Sequence, residues 1–191
     1  MGISLVKGGN ISLTKAAPGL ASVIVGLGWD ARTTTGAEFD VDASALGVDS
    51  NRQIVSGQHF VFYSNLRSPD GVIEHQGDNR TGAGDGDDEK ITVHLSAAPP
   101  NMDAVIFAVS IYDADTRGQS FGQIRNAFIR VVDSANGAEL ARYDLSEDAA
   151  TETAMVFGEL YRSSSEWKFR AVGQGYASGL SGIATDFGVP L

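Results

Sequence analysis

The stretch Phe128-Ile129-Arg130-Val131-Val132-Asp133-Ser134-Ala135-Asn136-Gly137-Ala138-Glu139-Leu140-Ala141-Arg142-Tyr143-Asp144-Leu145 decides the fold class. Residues 128–133 and 139–145 are rich in β-branched and aromatic side chains. Between them Asn136-Gly137 supplies the positive-φ positions of a tight turn, so the stretch predicts a β-hairpin. Downstream, 153–172 predicts a second hairpin around Ser163-Ser164-Ser165, and 178–187 predicts a short closing helix despite Gly179 and Gly182. Upstream the apolar spacing stays at two: Ile11 and Leu13, then Val23, Val25 and Leu27 before Trp29, then Phe39, Val41 and Ala43, then Ile91, Val93 and Leu95. Ala104 to Tyr112 is almost continuously apolar, which suits a central strand buried on both faces. Short strands at this even spacing, with no linker or internal repeat, predict an all-β fold. The expected form is one domain over 1–191, a two-sheet antiparallel β-sandwich with short helices and long acidic loops.

Composition narrows the function classes. Of 191 residues, 42% are apolar and 20% charged, enough to bury a core and too apolar for disorder. Acids number 24 against 14 bases, leaving a formal charge of -10 and a pI near 4.6, a surface that repels phosphate backbones and anionic lipids. Nucleic acid is therefore not an expected partner, whereas a cation is. Cysteine is absent, which removes disulfides, thiolate zinc sites, iron–sulfur clusters and Cys nucleophiles together. Residues 1–7 lack the basic-then-apolar order of a signal peptide. No run approaches the ~20 apolar residues of a membrane helix, so a cytoplasmic protein with no direct membrane insertion is expected.

The negative charge is concentrated. Asp70, Glu74, Asp78, Asp85, Asp87, Asp88 and Glu89 crowd into 70–89, with Arg80 as the one Lys or Arg among them. Gly82, Gly84 and Gly86 let the backbone turn carbonyls inward, while Asp78, Asn79, Thr81, Asp85, Asp87, Asp88 and Glu89 add side-chain oxygens. Calcium takes roughly six to eight oxygens in tolerant geometry, whereas magnesium keeps more water and uses fewer carboxylates. Close carboxylate pairs near a surface repel by about 1 kcal/mol or more unless a cation intervenes. The segment is not an EF-hand loop, because Arg80, Gly82 and Ala83 stand where that loop needs two oxygen ligands and its glycine. Asp40 and Asp42 are two apart in a strand pattern, so they share a face and join the candidate set, with Asp30 after Gly28-Trp29 as a weaker addition. The carboxylates exceed what one divalent ion needs, so two calcium ions are expected. Composition of this kind also yields solvated acidic loops without a ligand, and Asp40 with Asp42 alone would read as a solvated strand face; the alternating glycines beside Asp, Asn and Thr favour calcium.

Other patterns carry less. Gly118-Gln119-Ser120-Phe121-Gly122 matches G-x-S-x-G, but His59, His75 and His94 all precede Ser120. Gly26-Leu27-Gly28 lacks the third glycine of a dinucleotide fingerprint. The histidines are too far apart for a local metal motif and read as ordinary hydrogen-bonded residues. Glu159 and Glu166 are a conceivable hydrolase pair that nothing places across a cleft. No catalytic residues are assigned and no enzyme is expected.

Gly26-Leu27-Gly28-Trp29-Asp30, Phe39-Asp40-Val41-Asp42, His75 to Gly82 with Gly86-Asp87-Asp88-Glu89, Ile111-Tyr112-Asp113-Ala114 and Phe157-Gly158-Glu159-Leu160-Tyr161-Arg162 together resemble the bacterial TerD, or tellurite-resistance protein D, family. Val41 stands where that pattern has Leu. The resemblance implies a cytoplasmic β-sandwich that binds calcium and is linked to resistance to tellurite and other stresses, including phage and colicins, without an established catalytic activity. It also implies that the acidic loop and the Asp40/Asp42 strand form the calcium region, and that partners are other proteins of the same stress-response system. The alternatives are a metal-dependent enzyme acting on an oxyanion or phosphoester, and calcium as a purely structural ion.

Overall fold

The computed structural model describes residues 2–31, 38–77, 86–145 and 151–190, and these form two facing β-sheets. The strands are β1 (Ile3–Leu5), β2 (Asn10–Ser12), β3 (Val23–Ala31), β4 (Val41–Val48), β5 (Phe60–Val61), β6 (Ile73–His75), β7 (Glu89–Val93), β8 (Ala104–Ile111), β9 (Ile124–Asp133), β10 (Glu139–Asp144), β11 (Ala154–Ser163) and β12 (Glu166–Tyr176). Helices are short: α1 (Leu13–Ala16), α2 (Ala114–Arg117) and α3 (Gly179–Asp186). Among the described residues no helix is long and apolar enough to cross a membrane. One sheet runs β1-β10-β9-β3-β7-β6 and the other β2-β12-β11-β8-β4-β5. Among the described residues every strand pairing is antiparallel except β1 with β10, which is parallel and departs from the sequence expectation.

Alternation builds the core. Val23, Val25 and Leu27, with Ile91, Val93, Ile129 and Val131, point from the first sheet into the layer where Val105, Phe107, Phe157 and Phe169 arrive from the second. The second sheet is apolar on its outer face as well: Leu46, Ile106 and Val156 are covered by Ile183 and Phe187 of the α3 segment. β8 is therefore buried on both faces, as its unbroken apolar run predicts. The first sheet instead turns Lys90, Arg130 and Arg142 outward.

The β9–β10 hairpin forms, but its turn is wider than the Asn-Gly pair suggests. Gly137 alone takes positive φ (73°), while Asn136 Oδ1 accepts from the Ala138 amide at 2.8 Å. Asp133 Oδ1 accepts from the Ala135 amide at 2.9 Å, so side chains on both sides of the turn close the loop. β11 and β12 pair from Ser163 opposite Glu166, leaving Ser164 and Ser165 at the tip with Ser164 at φ 59°.

Candidate metal centre at the root of the acidic loop

β7 begins at Glu89 beside the middle of β3, with Leu27 opposite Glu89 and Gly26 opposite Lys90. The chain reaches that point by crossing the outer face of β3. This explains Gly26-Leu27-Gly28: a Cβ at Gly26 would overlap the Asp87 carboxylate, and one at Gly28 would overlap the Phe128 ring and meet the Gly86 carbonyl oxygen at 2.8 Å. Leu27 between them points into the core and is 1% exposed. The motif is a packing surface for the loop root.

Asp87, Asp88 and Glu89 are each fixed differently. Both oxygens of Asp87 accept from Arg130 of β9, Nε to Oδ1 at 2.7 Å and Nη2 to Oδ2 at 2.9 Å, and Arg130 also reaches Glu139 at 3.3 Å. The two carboxylates hold the Arg130 guanidinium above its usual pKa: first the Asp87 hydrogen bonds raise it, and the partial burial that opposes them is smaller. Asp88 donates its amide to Leu27 O at 2.8 Å and accepts from the Trp29 amide at 2.8 Å through Oδ2. Glu89 lies in the inter-sheet layer, where Oε2 accepts from the Ala43 amide of β4 at 2.6 Å and from His75 Nε2 at 3.2 Å. One carboxylate thus ties the two sheets together.

Burial pushes the Asp88 carboxyl above the ordinary aspartate value; the Trp29 amide offsets part of that, and the charges of Asp30, Asp87 and Glu89 push it further up. Four carboxylates therefore crowd within electrostatic reach at this end of the sandwich. Asp30, at the end of β3, is exposed and accepts from Asn126 Nδ2 at 2.7 Å. Asp42 leaves β4 on the face away from the inter-sheet core, opposite Ser110 of β8, and is 7% exposed. Asp40 precedes β4, and its carbonyl accepts from the Tyr112 amide at 2.8 Å. Asp78, Asn79, Thr81, Gly82 and Asp85 lie outside the described residues. Among the described residues, no three His, Asp or Glu side chains converge into a metal cage.

Three His–acid pairs were not readable from spacing. His75 Nδ1 accepts from the Gly77 amide at 3.1 Å, so Nε2 carries the proton that Glu89 receives. His59 Nε2 meets Asp70 at 3.0 Å, and His94 Nε2 meets Glu74 at 2.9 Å. With the imidazoles engaged by carboxylates, the donors around the loop root are oxygens, the chemistry of a hard cation. Glu159 and Glu166 do not form a catalytic pair: buried Glu159 is bridged by Arg52 and Arg170, whereas Glu166 pairs with Lys15 at 3.0 Å. Gly118 to Gly122 runs from the end of α2 into a turn at Phe121–Gln123, not the strand–turn–helix of a nucleophile elbow.

The model of the TerD domain matches residues 1–187. The tellurium resistance protein TerD of Serratia marcescens is 58% identical over 189 residues, covering 99% of this chain and 98% of that protein. General stress protein 16U of Bacillus subtilis is 50% identical over 192 residues, covering 100% of both chains. A crystal structure of a homologue of the telluride resistance protein TerD from Streptomyces coelicolor superposes with a TM-score of 0.70 at 29% identity, covering 87% of this chain and 96% of that one. Two packed sheets, an acidic segment rooted across Gly26 and Gly28, and similarity along nearly the whole length lead to one assignment: the chain belongs to the TerD domain family.

Proposed function

We propose that this protein is a calcium-binding, non-catalytic module of a bacterial stress response that includes tellurium resistance. In this reading it works in the cytoplasm and presents an interaction surface to other proteins of the same system. The observation that carries it is the crowding at Asp88, whose ionised form is disfavoured by burial and by Asp30, Asp87 and Glu89. Bound calcium supplies the positive charge that relieves such crowding, and donors that are all oxygen suit it. Two ions would be held from among Asp30, Asp40, Asp42, Asp78, Asn79, Thr81, Gly82, Asp85, Asp87, Asp88 and Glu89. The names of the relatives support the stress and tellurium setting.

Isothermal titration of the metal-free protein with Ca²⁺ and with Mg²⁺ tests the reading. Saturable calcium heat with at least tenfold preference over magnesium is expected. No calcium heat at millimolar ligand, or equal affinity for the two ions, overturns it.

A further inference from the structure

Asp87 carries a charge that Arg130 already answers. Its side chain is 2% exposed, and both oxygens accept from the planar fork of Arg130. Arg130 is clasped on its other side by Glu139, which keeps the guanidinium in place. Beneath the pair, Gly26 is bare where a Cβ would collide with the carboxylate. An ion at Asp87 would compete with this two-point bond for the same carboxylate oxygens, leaving Arg130 with Glu139 as its remaining carboxylate partner among the described residues. Asp88 accepts from the Trp29 amide and lies within electrostatic reach of Asp30, Asp87 and Glu89.

We propose that Asp87 is a docking strut and not a calcium ligand: paired with Arg130 over Gly26, it fastens the C-terminal root of the acidic segment to the first sheet with no metal bound. The division between strut and ligand rests on the calcium reading; the fastening itself does not. Glu89, committed to Ala43 and His75, acts as a second anchor in the inter-sheet layer. Ion binding then falls to Asp30, Asp88 and acids farther from the root. Gly26 gains a role that a search for nucleotide-binding glycines misses, because its missing side chain is the seat of the strut.

The test uses the full chain with Asp87→Asn, Arg130→Gln, Gly26→Ala and Asp88→Asn. Melting is followed in EDTA, and Ca²⁺ affinity is measured by titration calorimetry. Asp87→Asn, Arg130→Gln and Gly26→Ala should each lower the metal-free melting temperature by at least about 3 °C while leaving the calcium Kd within threefold of the parent. Asp88→Asn should weaken calcium binding tenfold or more and leave melting in EDTA little changed, since an amide oxygen still accepts from Trp29. Loss of affinity in Asp87→Asn equal to that in Asp88→Asn would overturn the proposal, as would tighter binding in Arg130→Gln, the sign of a ligand released from its competitor. Unchanged melting in all three strut variants overturns it too. A parent protein that binds no calcium refutes the function proposed above, yet the melting arm still decides whether the strut exists.

Discussion

Glu89→Ala should be the most damaging single change at the loop root. The side chain is 1% exposed, and its Oε2 receives the Ala43 amide from the second sheet and His75 Nε2–H from the first. Truncation leaves both donors buried without an acceptor, at about 1–3 kcal/mol each. Loss of the buried Cγ methylene adds about 0.8 kcal/mol, while removing a buried charge returns part of its desolvation cost. The expected net loss is about 3–5 kcal/mol, a large share of the ~5–15 kcal/mol that holds a domain folded. At ~2–4 °C per kcal/mol for a chain of this size, melting falls by roughly 6–20 °C. Urea denaturation in EDTA, followed by tryptophan fluorescence and far-ultraviolet dichroism, measures it free of metal effects. Glu89→Gln keeps an acceptor oxygen and should lose less than about 2 kcal/mol. A loss under about 1 kcal/mol for Glu89→Ala, or equal losses for the two variants, would refute the view that Glu89 serves as a buried acceptor between sheets.

Further outcomes concern the same framework. Gly28→Ala places a methyl against the Phe128 ring and 2.8 Å from the Gly86 carbonyl, and a thermal melt should show a loss of about 1–3 kcal/mol; a neutral result means that residues 86–88 do not press on β3. Arg162→Met strips three carbonyls of their donor, Met102 O at 3.0 Å, Ala98 O at 2.8 Å and Pro99 O at 3.2 Å, and should cost about 2–3 kcal/mol in denaturant, with Arg162→Lys recovering only part. Burial works to raise the Asp70 carboxyl, but the Ser68 hydroxyl, the Val72 amide and His59 together hold it below 3.8. A lowered folded pKa adds stability above about pH 3.8 that drains away as pH falls through the folded value. Asp70→Asn should therefore lower stability at pH 7 and flatten the acid limb of a stability–pH curve; an acid limb as steep as the parent's would show that Asp70 is not its source.

Much of the architecture is legible in the chain because period-two patterning and turn residues are local properties. β11, β12 and the doubly buried β8 follow directly from Ser163-Ser164-Ser165 and from 104–112. Strand partners are not local: nothing near Ile3 announces a parallel pairing with Ala141. The turn after Asp133 differs from the Asn-Gly expectation because Asp133 and Asn136 side chains compete for the amides that a tighter turn would use. At the candidate site, the acids were visible as a charge surplus, but their separate duties were not. Asp87 finds Arg130 from 43 positions away, and Glu89 reaches Ala43 across the sandwich. Such pairings depend on how two sheets face each other, which spacing along one strand does not encode. Gly26 and Gly28 illustrate the same limit, since their reason is another segment's path.

The α3 segment covers a second, thinner apolar layer, separated from the inter-sheet core by the thickness of one sheet. It is held there by Ile183 and Phe187 on Leu46, Ile106 and Val156, and by the Ile54 amide donating to Phe187 O at 2.7 Å. Amide protons in α3 can therefore exchange with solvent by undocking alone, whereas those of β8 must wait for the sheets to part. Each undocking event would uncover Leu46, Ile106 and Val156 together on an otherwise intact sandwich, a contiguous apolar strip of the kind through which chains associate.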